Sequence, residues 1–190
     1  MVTQPRQIRA EDVPLIPVPD DISGYELVNG QLVPVMGSRI RHSWLVVEVS
    51  AIIREHARAQ RIGEVFADVW CKMPLPHDSE RLYAPDIAYF TTEKVEAEDG
   101  DGIFHAPPDL AVEIHSPTNL RKPGDFQRRI RDYLEAGVRL LWVIYPDAGY
   151  AMVHRPDGSA RMVRETEALD GENVLPGFRL PLAKLFIGLP

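Results

Sequence analysis

Residues 108–115, Pro-Asp-Leu-Ala-Val-Glu-Ile-His, are the most informative stretch of this chain. Leu110, Val112 and Ile114 alternate with the other side chains, which predicts a β-strand with one apolar face. Glu113 therefore lies on the opposite face. A carboxylate on a covered face needs a partner or a cation. The segment thus predicts either a functional residue at Glu113 or an ordinary acid on a face that meets solvent.

A second apolar segment, residues 84–90 (Ala-Pro-Asp-Ile-Ala-Tyr-Phe), is built in the same way. Alternation places Asp86 on one face together with Ala88 and Phe90. If the two strands are neighbours, Asp86 and Glu113 could ligate one hard divalent cation, which would leave water molecules available as nucleophiles. The two segments together predict a hydrolytic site, with two exterior acids as the alternative.

The remaining segments mix strands and helices. Asn29-Gly30 lies between two apolar runs and is typical of a hairpin turn, because both positions tolerate positive φ. Apolar residues at helical spacing predict two long helices. In chain order the predicted segments are a hairpin at 25–35, a helix at 38–60, a β-rich stretch at 64–74, a strand at 84–90, a surface excursion with one helical turn at 91–108, a strand at 109–115, a helix at 125–136, a buried strand at 140–145, a hairpin at 150–164 and short extended pieces at 174–185. This order predicts an α/β fold with a mixed β-sheet flanked by helices.

Composition limits the class of protein. With 190 residues, 45% of them hydrophobic, we expect one domain over residues 1–190, with residues 1–20 peripheral. Cys71 is the only cysteine, which excludes an intramolecular disulfide and a cysteine-based zinc cluster. No apolar run reaches the roughly 18 residues of a membrane span, and no basic-then-apolar leader opens the sequence. We therefore expect a cytoplasmic protein without membrane contact.

The charge distribution restricts where nucleic acid could bind. A net charge of −7 argues against phosphate contacts over the whole surface. A basic patch between residues 121 and 131, which includes Lys122, Arg128 and Arg129, could still make them; a solvated helix face is the alternative. The other charged cluster, His77-Asp78-Ser79-Glu80, lies in a polar loop after two prolines, and we interpret it as a solvated turn.

These motifs have a known counterpart. A proline and an aspartate on one strand, then an acid, any residue and usually a lysine on the next, resembles the pattern of the PD-(D/E)XK nucleases. Much more of the chain is similar to one bacterial branch of that superfamily, the Uma2 family of restriction-endonuclease-like proteins. The resemblance spans about residues 20 to 186. Its matching pieces are Tyr25–Gly30, His42, Pro85–Ala88, Pro108–Pro117, Tyr133–Val138 with Trp142, and Leu175–Phe178.

The resemblance implies a restriction-endonuclease-like fold, a bound Mg²⁺ or Mn²⁺ ion, and nucleic acid, DNA in the first instance, as substrate. Asp86 and Glu113 carry over as metal ligands. Glu26 matches an early glutamate of the family and would be a third acidic group near the metal; a purely structural hairpin residue is the alternative. His42 also matches and would face the site and contact substrate; a satisfied core histidine is the alternative.

The sequence departs from the superfamily at its lysine. His115 stands two residues after Glu113, where the lysine is expected, and in the Uma2 branch the lysine moves to the following helix, where this chain has Arg129. Arginine keeps the positive charge, but its pKa is too high for a general base. His115, or Lys122 from the preceding loop, could take the proton instead. A plain i,i+4 pair with Asp125 is the alternative explanation of Arg129.

Two functions follow from these residues. The first is a metal-dependent endonuclease, with a possible homodimer because two strands need two sites. The second is a nuclease-fold protein that has lost catalysis and binds nucleic acid or protein, which Arg129 and Tyr145, in place of a family aspartate, favour. The predicted catalytic residues are Asp86, Glu113, Glu26, Arg129, His115 and Lys122, and the predicted substrate contacts are His42, Lys122, Arg128 and Arg129.

Overall fold

A six-stranded β-sheet forms the centre of the computed structural model, which describes residues 8–19, 22, 24–35, 40–98, 100, 102–115 and 123–187. From edge to edge the strands are β11 (Ala160–Arg164), β10 (Tyr150–His154), β9 (Leu140–Tyr145), β8 (Leu110–Ile114), β6 (Ile87–Thr91) and β3 (Gly63–Ala67). Strands β8 and β9 run parallel, and all other neighbours in this sheet run antiparallel. A sheet of mixed direction was the predicted class.

A smaller sheet of five strands and a two-stranded ribbon accompany the central sheet. Asn29 (φ 51°) and Gly30 (φ 70°) connect the first hairpin with positive φ at both positions, which confirms the predicted turn. From edge to edge the smaller sheet comprises β2 (Gln31–Val35), β1 (Gly24–Val28), β5 (Leu82–Tyr83), β4 (Trp70–Lys72) and β7 (Ile103–Phe104), and the ribbon pairs β12 (Ala168–Asp170) with β13 (Arg179–Pro181).

Helices cover both faces of the central sheet. The long helix α1 (Ile40–Gln60) buries Leu45 and Val49 in one cluster with Val112 and Trp142 of the sheet. Besides α1 (Ile40–Gln60), the described chain contains a 3-10 helix (Ala10–Leu15), α2 (Thr92–Glu96), α3 (Pro123–Ala136) and α4 (Ala183–Phe186). No helix among the described residues combines the length and the apolar character that crossing a membrane requires.

Helix α3 covers the opposite face. Its residues Phe126, Ile130 and Tyr133 are buried with Ala111 and Val143 of strands β8 and β9. Glu113 lies on this second face, as alternation predicts, and it is buried rather than solvated. The interpretation of Glu113 as an ordinary exterior acid is therefore wrong.

Two segments differ from the predicted elements. The β-rich stretch at 64–74 is two strands in two different sheets, because Asp68 adopts a φ of 51° between β3 and β4 and turns the chain. The excursion at 91–108 contains the predicted helical turn as α2, but it also contributes the buried strand β7, which pairs with β4. Both differences concern which strand finds which partner, a contact that local alternation does not specify.

Candidate active site

The two predicted carboxylates meet at one end of the central sheet. Ile87 of β6 pairs with Val112 of β8, so one step further along these antiparallel strands Asp86 comes beside Glu113. Asp86 Oδ2 accepts the backbone N–H of Ile114 at 2.6 Å. Asp86 stands directly before β6 begins, and its side chain is 15% exposed. Strand pairing therefore brings together two acids that are 27 positions apart in the sequence.

Glu113 is held by two side chains of α3. Arg129 Nη1 donates to Glu113 Oε1 at 3.0 Å, and the Tyr133 hydroxyl donates to the same oxygen at 2.5 Å. Within the described part of the chain both hydrogen bonds of this carboxylate go to Oε1, which leaves Oε2 for another partner. Arg129 and Tyr133 are four residues apart on one helix face, so both reach the same carboxylate.

Arg129 joins the first hairpin to this pair. Its Nη2 donates to Glu26 Oε1, which also accepts the backbone N–H of Ala84 at 3.2 Å. Glu26 is 5% exposed and thus lies inside the cluster rather than at the hairpin surface. Asp125, the alternative partner of Arg129, pairs instead with Arg128 at 2.9 Å. We call the set Glu26, His42, Asp86, Glu113 and Arg129 the Glu113 cluster.

His42 reaches the cluster from α1. Its Nε2 lies 3.1 Å from Asp86 Oδ1, and its Nδ1 is buried without a hydrogen-bond partner among the described residues. Burial lowers the pKa of His42, but the hydrogen bond and charge of Asp86, with smaller contributions from Asp68 and Glu113, raise it above the ordinary value. The imidazole therefore faces the acids. The alternative, a core histidine with both ring nitrogens satisfied, does not agree with these contacts.

Burial and neighbouring charges shift the protonation of the acids themselves. Desolvation raises the pKa of Glu113 to about 7, Asp86 adds to this effect, and Arg129 and Tyr133 oppose it. The pKa of Arg129 is raised well above its usual value, because the charges of Glu26 and Glu113 outweigh its burial. The cluster thus combines a fixed cation with a carboxyl group that titrates near neutral pH.

Two members of this site were not predicted from the sequence. Asp68 lies in the turn before β4, its backbone N–H donates to the carbonyl of Asp86 at 3.4 Å, and its pKa is raised by burial and then by the charge of Asp86. Tyr133 had no predicted role beyond its place in the segment Tyr133–Val138 that resembles the family. An aspartate with positive φ and a tyrosine on an apolar stripe both have ordinary structural explanations, so no local signal separated them from the rest.

The other predicted residues have different positions. His115 lies just beyond β8, where its ring stacks on Tyr145 with centroids 4.6 Å apart and meets Phe126 edge-on. Burial lowers its pKa, and the described contacts of its ring are to these aromatic side chains. Arg128 is half-buried and tied to Asp125. Lys122 lies outside the described residues.

Asp86 and Glu113 supply the oxygen donors that a hard divalent ion prefers. No group of three or more His, Cys, Asp or Glu side chains that could hold a metal occurs among the described residues. Mg²⁺, however, usually binds through one or two carboxylates and keeps several waters, which fits the adjoining Asp86 and Glu113, since Glu113 Oε2 has no hydrogen-bond partner among the described residues. The residues present therefore fit a hard ion bound by two carboxylates.

The central mixed sheet, with α1 on one face and α3 on the other, defines a restriction-endonuclease-like α/β protein. A solved structure described as "a putative nuclease belonging to DUF820" from Anabaena variabilis has this fold, with a TM-score of 0.80, 21% sequence identity, and coverage of 96% of this chain and 99% of that chain. The chain belongs to the Uma2 family, described as "Putative restriction endonuclease", whose model matches residues 11–183. No curated protein matches the chain.

Proposed function

We propose that this protein is a divalent-metal-dependent endonuclease that hydrolyses phosphodiester bonds of nucleic acid, with DNA as the first substrate to test. The observation that carries the proposal is the convergence of Asp86 and Glu113 at one end of the central sheet, with Arg129 beside them. Two carboxylates and a fixed cation are the groups that a negatively charged phosphodiester and a metal ion require. Family membership and the described nuclease fold of its structural neighbour support the same reaction class.

Asp86 and Glu113 would hold Mg²⁺ or Mn²⁺. When bound, such an ion supplies Lewis acidity that activates water and neutralises charge on the scissile phosphate. His42 Nε2 and the N–H of Ile114 fix the two oxygens of Asp86, so His42 is a positioning residue for this carboxylate. These contacts set the carboxylate orientation before any ligand arrives.

The cations of α3 would handle the phosphate. Arg129 is anchored by Glu26 and Glu113, and its remaining donors could stabilise negative charge that develops in the transition state. Arg128 would contact a neighbouring phosphate of the strand. Because Arg129 cannot accept a proton, the proton from water would pass to His115 or Lys122, or to solvent.

A second function, a nuclease-fold protein that binds nucleic acid without cutting it, has one specific observation in its favour. Arg129 bridges Glu26 and Glu113, so a permanent cation already neutralises two acids of the cluster. An ion would then have to bind beside it. This function predicts nucleic-acid binding that depends neither on divalent ions nor on Asp86.

Cleavage and binding assays on matched variants separate these functions. Wild type, Asp86→Asn and Glu113→Gln would be incubated with labelled single-stranded, double-stranded and hairpin DNA and RNA in Mg²⁺ or Mn²⁺, with the surface variant Asp125→Asn as control. The endonuclease predicts cleavage by wild type and Asp125→Asn and a loss of about a hundredfold or more in the two cluster variants. Intact substrates in every reaction, with unchanged binding by Asp86→Asn, would support the binding function instead.

Arg129→Lys tests the substituted cation directly. Lysine restores the family residue at this position and a group that can release and accept protons. The endonuclease predicts equal or higher cleavage than wild type at pH 8, whereas a protein that lost catalysis elsewhere would stay inactive. Arg131→Lys, on the exposed side of the same helix, is the matched control.

The proposal extends to assembly. Duplex cleavage needs two sites. A homodimer in which each chain is one domain over residues 1–190 would supply them. Light scattering at micromolar concentration measures this directly: the mass of a dimer is expected, and a monomer mass under cleavage conditions would rule it out.

A further inference from the structure

A row of aromatic side chains crosses the central sheet next to the Glu113 cluster. His115 follows β8, Tyr145 ends β9, and Tyr150 begins β10, so the three occupy the same level on adjacent strands. The rings of His115 and Tyr145 have centroids 4.6 Å apart and planes 29° apart; those of Tyr145 and Tyr150 are 4.7 Å and 19° apart. These spacings match the strand separation of about 4.8 Å, so the row is a continuous stack of rings.

The position of the stack relates it to the site. Glu113 and His115 are two residues apart and therefore on the same sheet face, with a separation of roughly 7 Å along the strand. All three rings are half-buried, whereas aromatic residues that serve only the core, such as Phe90 and Trp142, are fully buried. The stack thus begins beside the proposed catalytic carboxylate and leads away from it across the sheet.

The two ends of the stack differ. At the β8 end, Phe126 meets His115 edge-on and closes the row. At the other end, Tyr150 pairs across the sheet with Arg164 of β11, whose side chain is 75% exposed and has a 3.9 Å ion pair with Glu167. Directly opposed residues share a sheet face. A cation with exposed donors therefore follows the last ring.

The ring faces inside the stack cover one another, so only the end at Tyr150 can accept a further ring. We infer that an unpaired nucleobase stacks on the Tyr150 end of the row and that Arg164 contacts its phosphate, which gives the protein a preference for single-stranded nucleic acid or for a single-stranded flank beside the cut. Bases stack on aromatic side chains regardless of sequence, and arginine contacts the phosphates between them. In a duplex the faces of the bases are already stacked on each other and cannot join the row. The inference rests on the proposed function for the reaction that follows binding, but not for binding itself.

Fluorescence anisotropy with a short labelled oligodeoxythymidine, in buffer with EDTA so that the strand stays uncut, tests the row. Tyr150→Ala should weaken binding by roughly tenfold or more, because one stacking surface is lost. Tyr150→Phe, which keeps the ring, should bind within about twofold of wild type. Wild type should bind the single strand more tightly than the same sequence in a duplex.

Arg164→Gln provides a second test that does not depend on how well Tyr150→Ala folds, since the arginine side chain is largely exposed. It should weaken binding and reduce the dependence of the affinity on salt. Arg161→Gln, on the other face of the same strand, should leave both unchanged. Equal binding by wild type, Tyr150→Ala and Arg164→Gln, or equal affinity for duplex and single strand, would overturn the inference.

The outcomes also separate this inference from the proposed endonuclease. Weakened binding by Tyr150→Ala in EDTA together with no cleavage by wild type in Mg²⁺ or Mn²⁺ would support the row and refute the endonuclease. Divalent-ion-dependent cleavage by wild type together with unchanged binding by Tyr150→Ala would refute the row and support the endonuclease.

Discussion

Two buried clusters of charged side chains lie next to each other in this protein, and they differ in what they leave unsatisfied. The first, which we call the Arg81 cluster, consists of Asn29, Asp78, Arg81, Tyr83 and Asp132. Arg81 is 0% exposed, and its guanidinium donates to Asp132, Asp78, Asn29 and the Tyr83 hydroxyl at 2.6 to 2.8 Å. Four of the five N–H donors of this cation are used by described partners.

The Glu113 cluster is more open. Arg129, Asp86 and His42 retain side-chain exposures between 14% and 18%, and His42 Nδ1 lacks a partner among the described residues. The two clusters touch through Tyr83: the Arg129 guanidinium lies 4.6 Å from the centre of its ring, and its hydroxyl donates to Asp132 at 2.7 Å. Arg81 is thus a cation that links structural elements, whereas Arg129 lies at the edge of a partly exposed site.

The Arg81 cluster corrects one interpretation from the sequence. The segment His77-Asp78-Ser79-Glu80 does form a turn, but the Asp78 side chain is only 8% exposed. Asp78 Oδ2 accepts from Arg81 and from the backbone N–H of Asn29 at 2.7 Å. The acid therefore joins the β1–β2 hairpin to the chain before β5, rather than meeting solvent.

The largest expected effect on stability follows from removing one partner of the buried cation in the Arg81 cluster. Asp132→Ala leaves the Arg81 cation buried without its nearest acid, and we expect a loss of about 3–5 kcal/mol in the free energy of unfolding. Urea denaturation measures it. Arg81→Met combined with Asp132→Leu and Asp78→Asn should recover part of the loss, because Asp78 and Asp132 are the acids that pair with Arg81 and no unpaired charge then remains. A triple variant as unstable as the sum of the singles would contradict this account.

Metal binding should distinguish the Glu113 cluster from the Arg81 cluster. Mg²⁺ or Mn²⁺ at about a hundredfold excess over its dissociation constant should raise the free energy of unfolding by about 2.7 kcal/mol. Asp86→Ala should abolish the increase, and Asp125→Asn should keep it, as followed by thermal melting with and without EDTA. The same stabilisation in Asp86→Ala would place the ion elsewhere.

The pH dependence of stability reports on Glu113. Its folded-state pKa of about 7 lies above the ordinary value of 4.5, so between these limits the folded state binds more protons than the unfolded state. This contribution is complete below about pH 4.5 and is lost as the pH rises through 7. Glu113→Gln should therefore show a shallower decline of stability over this window in metal-free buffer.

His42 contributes in the same direction, because its pKa is also raised, but its window begins at the ordinary histidine value of 6.5. The difference between wild type and Glu113→Gln is therefore clearest between pH 4.5 and 6.5, below the range in which His42 titrates, as measured by urea denaturation at several pH values. Parallel curves for the two proteins across that range would contradict the raised pKa of Glu113.

The smallest effect is expected where charges pair at the surface. Arg128 Nη1 lies 2.9 Å from Asp125 Oδ1 on α3, and the side chains of Asp125 and Arg128 are 50% and 35% exposed. Because solvent screens such pairs, Asp125→Asn should change the free energy of unfolding by less than about 0.5 kcal/mol. A loss comparable to that of Asp132→Ala would remove the distinction between surface and buried pairs.

Local sequence patterns determined much of the fold. Alternation and helical spacing predicted the β1–β2 hairpin, α1, α3 and β9, and the last of these matches residue for residue at Leu140–Tyr145. They also placed Glu113 on a sheet face and suggested Asp86 as its partner. These features depend on residues close together in the chain, whose periodicity is visible without any partner.

Only the tertiary structure decided which long-range partners meet. The stretch after α1 divides between two sheets at Asp68. Arg129 pairs with Glu26 and Glu113 and not with Asp125. Asp78 and Asp132 both pair with Arg81. Each of these contacts joins segments through strand pairing or helix docking, and a side chain's local sequence is the same whether it meets solvent or another charge. Burial and partner choice, which determine what an acid can do, are properties of the folded chain as a whole.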